Sequence, residues 1–253
     1  MNRYNSPKSN LPKQKNLIPE IIYEDKKLLA VIKPQNLPVQ PDRNSTVSLL
    51  TLLEDYFEFS RGIEEPFIGL VHRLDRHTGG LCIFAKTPAS LKKLNRCFAE
   101  HQVEKRYLTV VSDPSNNLDS AGTLTHYLTI DPKCNFVAAS KTASQGALKA
   151  TLHYKKIVHI DSAYGPLCLL EITLETGRQH QIRVQLSSMG YPVMGDAKYG
   201  ICPLKNESLA LWAYYLEINT YSFISMPKPD NPYFKIFEAF LHEETFKKLL
   251  SKD

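Results

Sequence analysis

The sequence predicts an α+β fold built on a mixed, mostly antiparallel central sheet with flanking helices and loops, and three observations predict it. Short strand-like runs crowd the middle of the chain, at residues 124–129, 137–139, 148–157 and 167–175. Helical spacing of apolar residues is confined to a few short stretches outside that region. Strands grouped in this way, rather than alternating with helices, assemble as α+β layers. At 253 residues, with 43% hydrophobic and 23% charged residues, the chain can bury a full core as one large domain or two closely joined lobes.

Residues 1–16 are rich in Asn, Ser, Pro and Lys and hold almost nothing apolar, so they read as a disordered basic tail. Residues 20–24 and 28–33 read as two strands around a turn at Asp25-Lys26-Lys27. Pro34, Pro38 and Pro41 then impose an extended loop, because proline has no amide donor. Leu49, Leu50, Leu53, Tyr56 and Phe57 fall at helical spacing over 48–57. Residues 81–85 are an apolar run of buried-strand length. Thr87-Pro88 has the form of an N-cap with proline in the first turn, and Leu91, Leu94 and Phe98 mark the buried face of the helix that follows. Tyr107 opens the next strand, 108–111, and 113–122 is turn-rich. Ile182, Leu186 and Met189 share one face of a helix entered through Arg178 and His180. A loop over 192–200, a strand over 209–218 and one terminal helix carrying Phe237, Phe240, Phe246, Leu249 and Leu250 complete the chain.

The chemistry gathers in two stretches. Gly69 to Gly80 sets Asp75 between Arg73 and Arg76, and cations beside a carboxylate favour its charged form. The second stretch, Thr176 to Leu186, brings Arg178, His180 and Arg183 to a helix entry, where polar groups and amide donors can meet an anion. The net charge of +5 arises almost wholly from Arg3, Lys8, Lys13 and Lys15 in the tail. Between His72 and Arg106, however, eight basic residues face three acids, so positive charge collects around Asp75.

Several chemistries are excluded. The chain has no G-x-x-x-x-G-K-[ST] loop, no G-x-G-x-x-G, no H-E-x-x-H and no G-x-S-x-G. His72 and His77 lack a companion at ligand spacing, so neither a metal nor a cofactor is expected. The five cysteines form no C-x-x-C pair and read as reduced thiols. No apolar run reaches membrane-span length and no secretory segment opens the chain, which points to the cytoplasm and to no membrane partner.

Four motifs in order make the reading specific. They are His72-Arg73-Leu74-Asp75-Arg76-His77-Thr78-Gly79-Gly80, Lys105-Arg106-Tyr107, Gly177-Arg178-Gln179-His180-Gln181-Ile182-Arg183, and Gly195-Asp196-Ala197-Lys198-Tyr199-Gly200, preceded by Lys33-Pro34. Together they resemble the RluA-type family of pseudouridine synthases. The resemblance implies a catalytic domain over 17–253, two lobes around an active cleft, and cofactor-free isomerisation of uridine to pseudouridine in structured rRNA or tRNA. It implies Asp75 as the catalytic carboxylate, acting as nucleophile or base, with Arg183 as its partner. Tyr107 is implied to pack on the target base and to be a candidate for taking the C5 proton. Arg73 is implied to face RNA and to fill the gap left by a flipped base; Arg76, Lys105, Arg178 and His180 are further candidates for RNA contact, with a structural hydrogen-bonding role as the alternative for His180. RNA is the expected partner and the protein is expected to act as a monomer.

Two positions depart from the family pattern. Gly79 replaces a serine, which adds freedom beside the Asp75 loop, and Gln185 stands where histidine is frequent. Only the short tail precedes the first strands, so RNA recognition is expected to fall on the catalytic lobes. An RNA-binding or ribosome-assembly protein of the same fold with dispensable catalysis is the alternative. The joint presence of Asp75, Tyr107 and Arg183 argues against it.

Overall fold

Residues 28–33 and 79–85 are uninterrupted apolar runs, and runs of this kind need cover on both faces. They form β2 (Leu28–Lys33) and β4 (Gly79–Ala85), paired antiparallel, with every residue of both buried. The computed structural model describes residues 19–42, 45–200 and 208–250. The expected tail at 1–16 and Cys202 lie outside them.

Among the described residues eleven strands form one sheet. β1 (Glu20–Glu24) flanks β2, and β3 (Gly69–Leu70) pairs with β4. β5 (Val103–Ser112) lies between β9 (Gly165–Leu174) and β10 (Leu211–Ile218). β8 (Leu148–Ser162) and β6 (Ala121–Asp131) extend the sheet to its edge strand, β7 (Phe136–Ser140). β11 (Tyr221–Ile224) hangs on β10. All pairs are antiparallel except β4 with β10, so the sheet is mixed and mostly antiparallel.

Both of the longer early helices open on a capping box, the second at the Thr87 read from the sequence. Ser48 and Thr51 form a reciprocal capping box at α1 (Leu49–Asp55), which runs on into a wider turn over Tyr56–Ser60. Thr87 and Ser90 do the same at α2 (Pro88–Ala99). Its buried residues are Ser90, Leu94 and Cys97, with Leu91 and Phe98 flanking them. α3 (Gln181–Ser188) is buried along most of its length.

Four expectations need correction. The terminal helix is three short ones, α4 (Pro232–Ile236), α5 (Glu238–Leu241) and α6 (Glu243–Leu250), because Phe237 leaves the helical conformation and His242 turns extended. Met189 is the C-cap of α3 and is exposed. β3 and β11 were not expected; at two and four residues they are too short to show a period. Gly79 is not a point of freedom: a Cβ there would lie 2.3 Å from the Trp212 ring, so the missing side chain is filled by an indole.

One row across the sheet places the chemistry. Gly80 of β4 lies opposite Ala213 of β10, and Ala213 lies opposite Tyr107 of β5. Gly80 has φ 111° and leaves no room for a side chain against the Ala213 backbone. The loop that delivers Asp75 into β4 therefore ends two strands from Tyr107.

Candidate active site

Asp75 sits in the loop between β3 and β4, where its carbonyl accepts the Thr78 amide at 3.1 Å. The loop is tied from behind. Lys33 is fully buried, and its ammonium donates to the carbonyls of Pro34 (2.8 Å), Leu37 (2.7 Å) and Arg76 (3.0 Å). Three acceptors use three hydrogens, so the site is built for the charged form although burial pushes the Lys33 pKa down to about 7. Gln35 donates to the His77 carbonyl at 3.2 Å and to that of Leu209, linking the loop to the start of β10. His72 accepts the Ile83 amide on Nε2 at 3.1 Å and stacks on Phe98. Burial and the nearby Lys105 push its pKa down to about 3, which keeps the ring neutral.

Arg183 comes from the first turns of α3 and is 4% exposed. Its Nε and Nη2 donate to the two oxygens of Asp196 at 2.7 and 2.8 Å, and its Nη1 stands 3.6 Å from Asp75 Oδ2. The Tyr199 ring covers the guanidinium at 5.1 Å. Burial opposes the Arg183 charge, but Asp196 and then Asp75 outweigh it and raise its pKa. Burial likewise opposes ionisation of Asp196, yet the Arg183 bonds and the amides of Lys198 and Tyr199 hold its pKa low. Arg183 is thus an ion partner of Asp75, as expected, but its closer commitment is to Asp196.

Two cavities meet at this pair. One of about 780 Å³ lies between the proline loop, Asn135 and the 195–198 turn. The other, about 560 Å³, is floored by Tyr107 and walled by Lys105 and Gly177. Arg73, Asp75, His180 and Arg183 line both. Tyr107 is 8% exposed, and burial followed by the Asp75 charge raises its phenol pKa. A phenol held protonated offers a ring face and a donor, not a base, in this resting arrangement.

The residues expected to face RNA occupy different situations. Arg73 is exposed and, among the described residues, makes no ion pair. Arg76 instead binds Asp42, one nitrogen reaching both oxygens at 2.9 and 2.7 Å. Lys105 reaches over the Phe98 ring at 5.7 Å, and burial lowers its pKa. Arg178 is exposed at the rim, its Nε donating to the Lys149 carbonyl at 3.3 Å. His180 lies inside the cleft, with Nδ1 2.7 Å from the Tyr199 hydroxyl.

Sequence reasoning quoted Lys33, Asp196 and Tyr199 inside motifs but gave them no role. A lysine before a proline in an apolar strand and an aspartate after a glycine stand out locally, but neither shows which distant group it binds. Away from the cleft, Asp113, His159 and Cys168 put ligand-type atoms within 4.8 Å of one another. There Asp113 accepts the amides of Asn117 and Leu118 and the Cys168 thiol, which is a loop-closing arrangement.

The family model described as RNA pseudouridylate synthase matches residues 27–188. The chain is 34% identical over 189 residues to ribosomal large subunit pseudouridine synthase D of Zymomonas mobilis, covering 72% of this chain and 56% of that protein. It is 31% identical over 253 residues to an RNA pseudouridine synthase of Aquifex aeolicus, covering 94% and 74%. The chain spans 56% to 62% of the length of the first relatives it matches. In fold it is similar to human RNA pseudouridylate synthase domain containing 1 (TM-score 0.69, 23% identity, 83% of this chain and 84% of that one). It is similar also to human RNA pseudouridylate synthase domain containing 4 (TM-score 0.68, 21% identity, 85% and 90%).

Proposed function

The chain belongs to the RNA pseudouridylate synthase family, and from that premise we propose that it converts uridine to pseudouridine in a structured RNA. The supporting observation is Asp75 at the junction of two cavities, 3.6 Å from a buried arginine and in the same cavity as Tyr107. The C1′–N1 bond breaks, uracil turns, and a C1′–C5 bond forms; C5 then loses its proton and N1 gains one. Nothing is oxidised or reduced, and the carboxylate acts at the ribose as a nucleophile or as a base toward C2′.

A uridine inside a helix cannot reach a carboxylate in a cleft, so it must leave its stack. Arg73, exposed beside Asp75, would occupy the gap, since a planar cation can stack and still meet phosphate. Tyr107 supplies the face on which uracil rests, and Lys105 and Arg178 meet the backbone at the rim. Large-subunit ribosomal RNA is the first substrate to test, because several relatives are named for it.

The test is tritium release from RNA labelled at uridine C5, alongside Asp75→Asn. The wild type releases tritium. The variant keeps its fold, because Asp75 is 26% exposed and Arg183 retains both bonds to Asp196, and loses turnover by at least about 10³-fold. Equal release from both would remove Asp75 from the chemistry and leave the RNA-binding alternative.

A further inference from the structure

His180 holds a left-handed backbone at the entry to α3. It precedes α3 with φ 52° and ψ 18°, in the left-handed region where glycine and asparagine are at ease. Its side chain makes no capping bond to the helix. The ring is instead turned toward Tyr199, and His180 lines both cavities with Asp75 and Arg183.

The hydrogen bonds around Tyr199 decide which ring nitrogen carries the proton. The Tyr199 oxygen accepts the Val137 amide at 2.9 Å. Its own hydrogen has one partner among the described residues, His180 Nδ1 at 2.7 Å. Were Nδ1 to donate instead, the hydroxyl would accept twice and its hydrogen would be left without an acceptor. Nδ1 is therefore the acceptor, and the neutral ring bears its hydrogen on Nε2.

We infer that His180 presents a fixed, neutral Nε2–H donor to a ribose or uracil oxygen of the target nucleotide beside Asp75, and that Tyr199 sets this tautomer. The inference rests on the proposed activity. A neutral donor suits this place because a lysine or arginine would pair with Asp75 and compete with the substrate for it. The charged groups that face the ring are Asp75 and, from α3 and the 195–198 turn, Arg183, Asp196 and Lys198. Burial, with Arg183 and Lys198, outweighs Asp75 and Asp196 and lowers the His180 pKa to about 4, so the ring stays neutral across the working range.

Two substitutions separate a donor from a backbone role. Glutamine carries an amide N–H where imidazole has Nε2; asparagine can mimic only Nδ1 but tolerates the left-handed backbone better. His180→Gln is expected to stay within about fivefold of wild type in kcat, while His180→Asn falls about 10²-fold with little change in KM. Asparagine equal to or better than glutamine would overturn the donor role. In Tyr199→Phe the ring can take up a second proton more readily, so the acid limb of kcat moves up in pH. An unmoved limb would overturn the role of Tyr199.

Imidazole 15N spectra of the free protein read the tautomer without substrate. Protonated Nε2 with bare Nδ1 is expected, and the reverse overturns the inference even if turnover is normal. A wild type that releases no tritium while these spectra hold would remove the activity, and with it the nucleotide as the ligand of His180.

Discussion

The two walls of the cleft hold their charges in opposite ways. The Asp75 wall is a loop with its fixings behind it: Lys33 grips three carbonyls and Gln35 two, while the carboxylate itself stays partly open. The Arg183 wall is a helix with its charges sealed: Arg183 and Asp196 are 4% and 1% exposed and joined by two short bonds. An attraction counts for more where water is absent, so the sealed pair sets a steady field at the open one. The Asp75 carboxylate is kept accessible because nothing that fixes its backbone needs its side chain.

Breaking the sealed wall should cost most. Asp196→Ala leaves Arg183 buried with only Asp75 at 3.6 Å, and a buried charge stripped of its partner costs about 3–5 kcal/mol. Urea unfolding measures this; a loss under about 1 kcal/mol would mean that water or Asp75 replaces Asp196 easily. On the loop wall the next effect depends on pH. His72 has its pKa pushed down to about 3 in the fold against about 6.5 when unfolded, so the unfolded chain binds the extra proton between those values. Stability is then complete above pH 6.5 and falls as pH drops toward 3, by at most about 1.4 kcal/mol per pH unit from this group. His72→Gln, which can still accept the Ile83 amide, should flatten that slope. Lys33→Met follows, at about 2 kcal/mol: three carbonyls lose a donor, but a buried charge is also removed. Its activity should fall further than its stability, because the freed Arg76 carbonyl adjoins Asp75. Equal losses would make Lys33 a core residue only.

How much of this was legible follows from how local each signal is. β2 and β4, the apolar face of α1, the capped start of α2 and the Arg183 helix were readable because a run of neighbours determines each one. Asp75, Tyr107 and Arg183 were readable as motif members. The Asp196 pair was not, since a bidentate bond spanning 13 residues has no period. Lys33 was hidden for the same reason: a lysine at the end of an apolar strand looks like a snorkelling surface residue until the loop it grips is folded over it. Gly79 was misread because its filler, Trp212, is 133 positions away.

The smallest expected effect separates two arginines that the sequence sets three residues apart. Arg76 is paired with Asp42 at half-exposed positions, and such a pair contributes about 0–1 kcal/mol. Arg73 has no ion partner among the described residues. Each phosphate contact steepens the fall of log K with log salt by about 0.7 on a single strand and about 0.9 on a duplex. Arg73→Gln should therefore flatten the salt dependence of RNA binding by about that amount, and Arg76→Gln should leave it unchanged, because a guanidinium already held by a carboxylate releases little new counterion. If Arg76→Gln flattens the slope as much as Arg73→Gln does, Arg76 leaves Asp42 when RNA arrives. The loop wall would then rearrange on binding, and the contrast between an open and a sealed wall would describe the free protein alone.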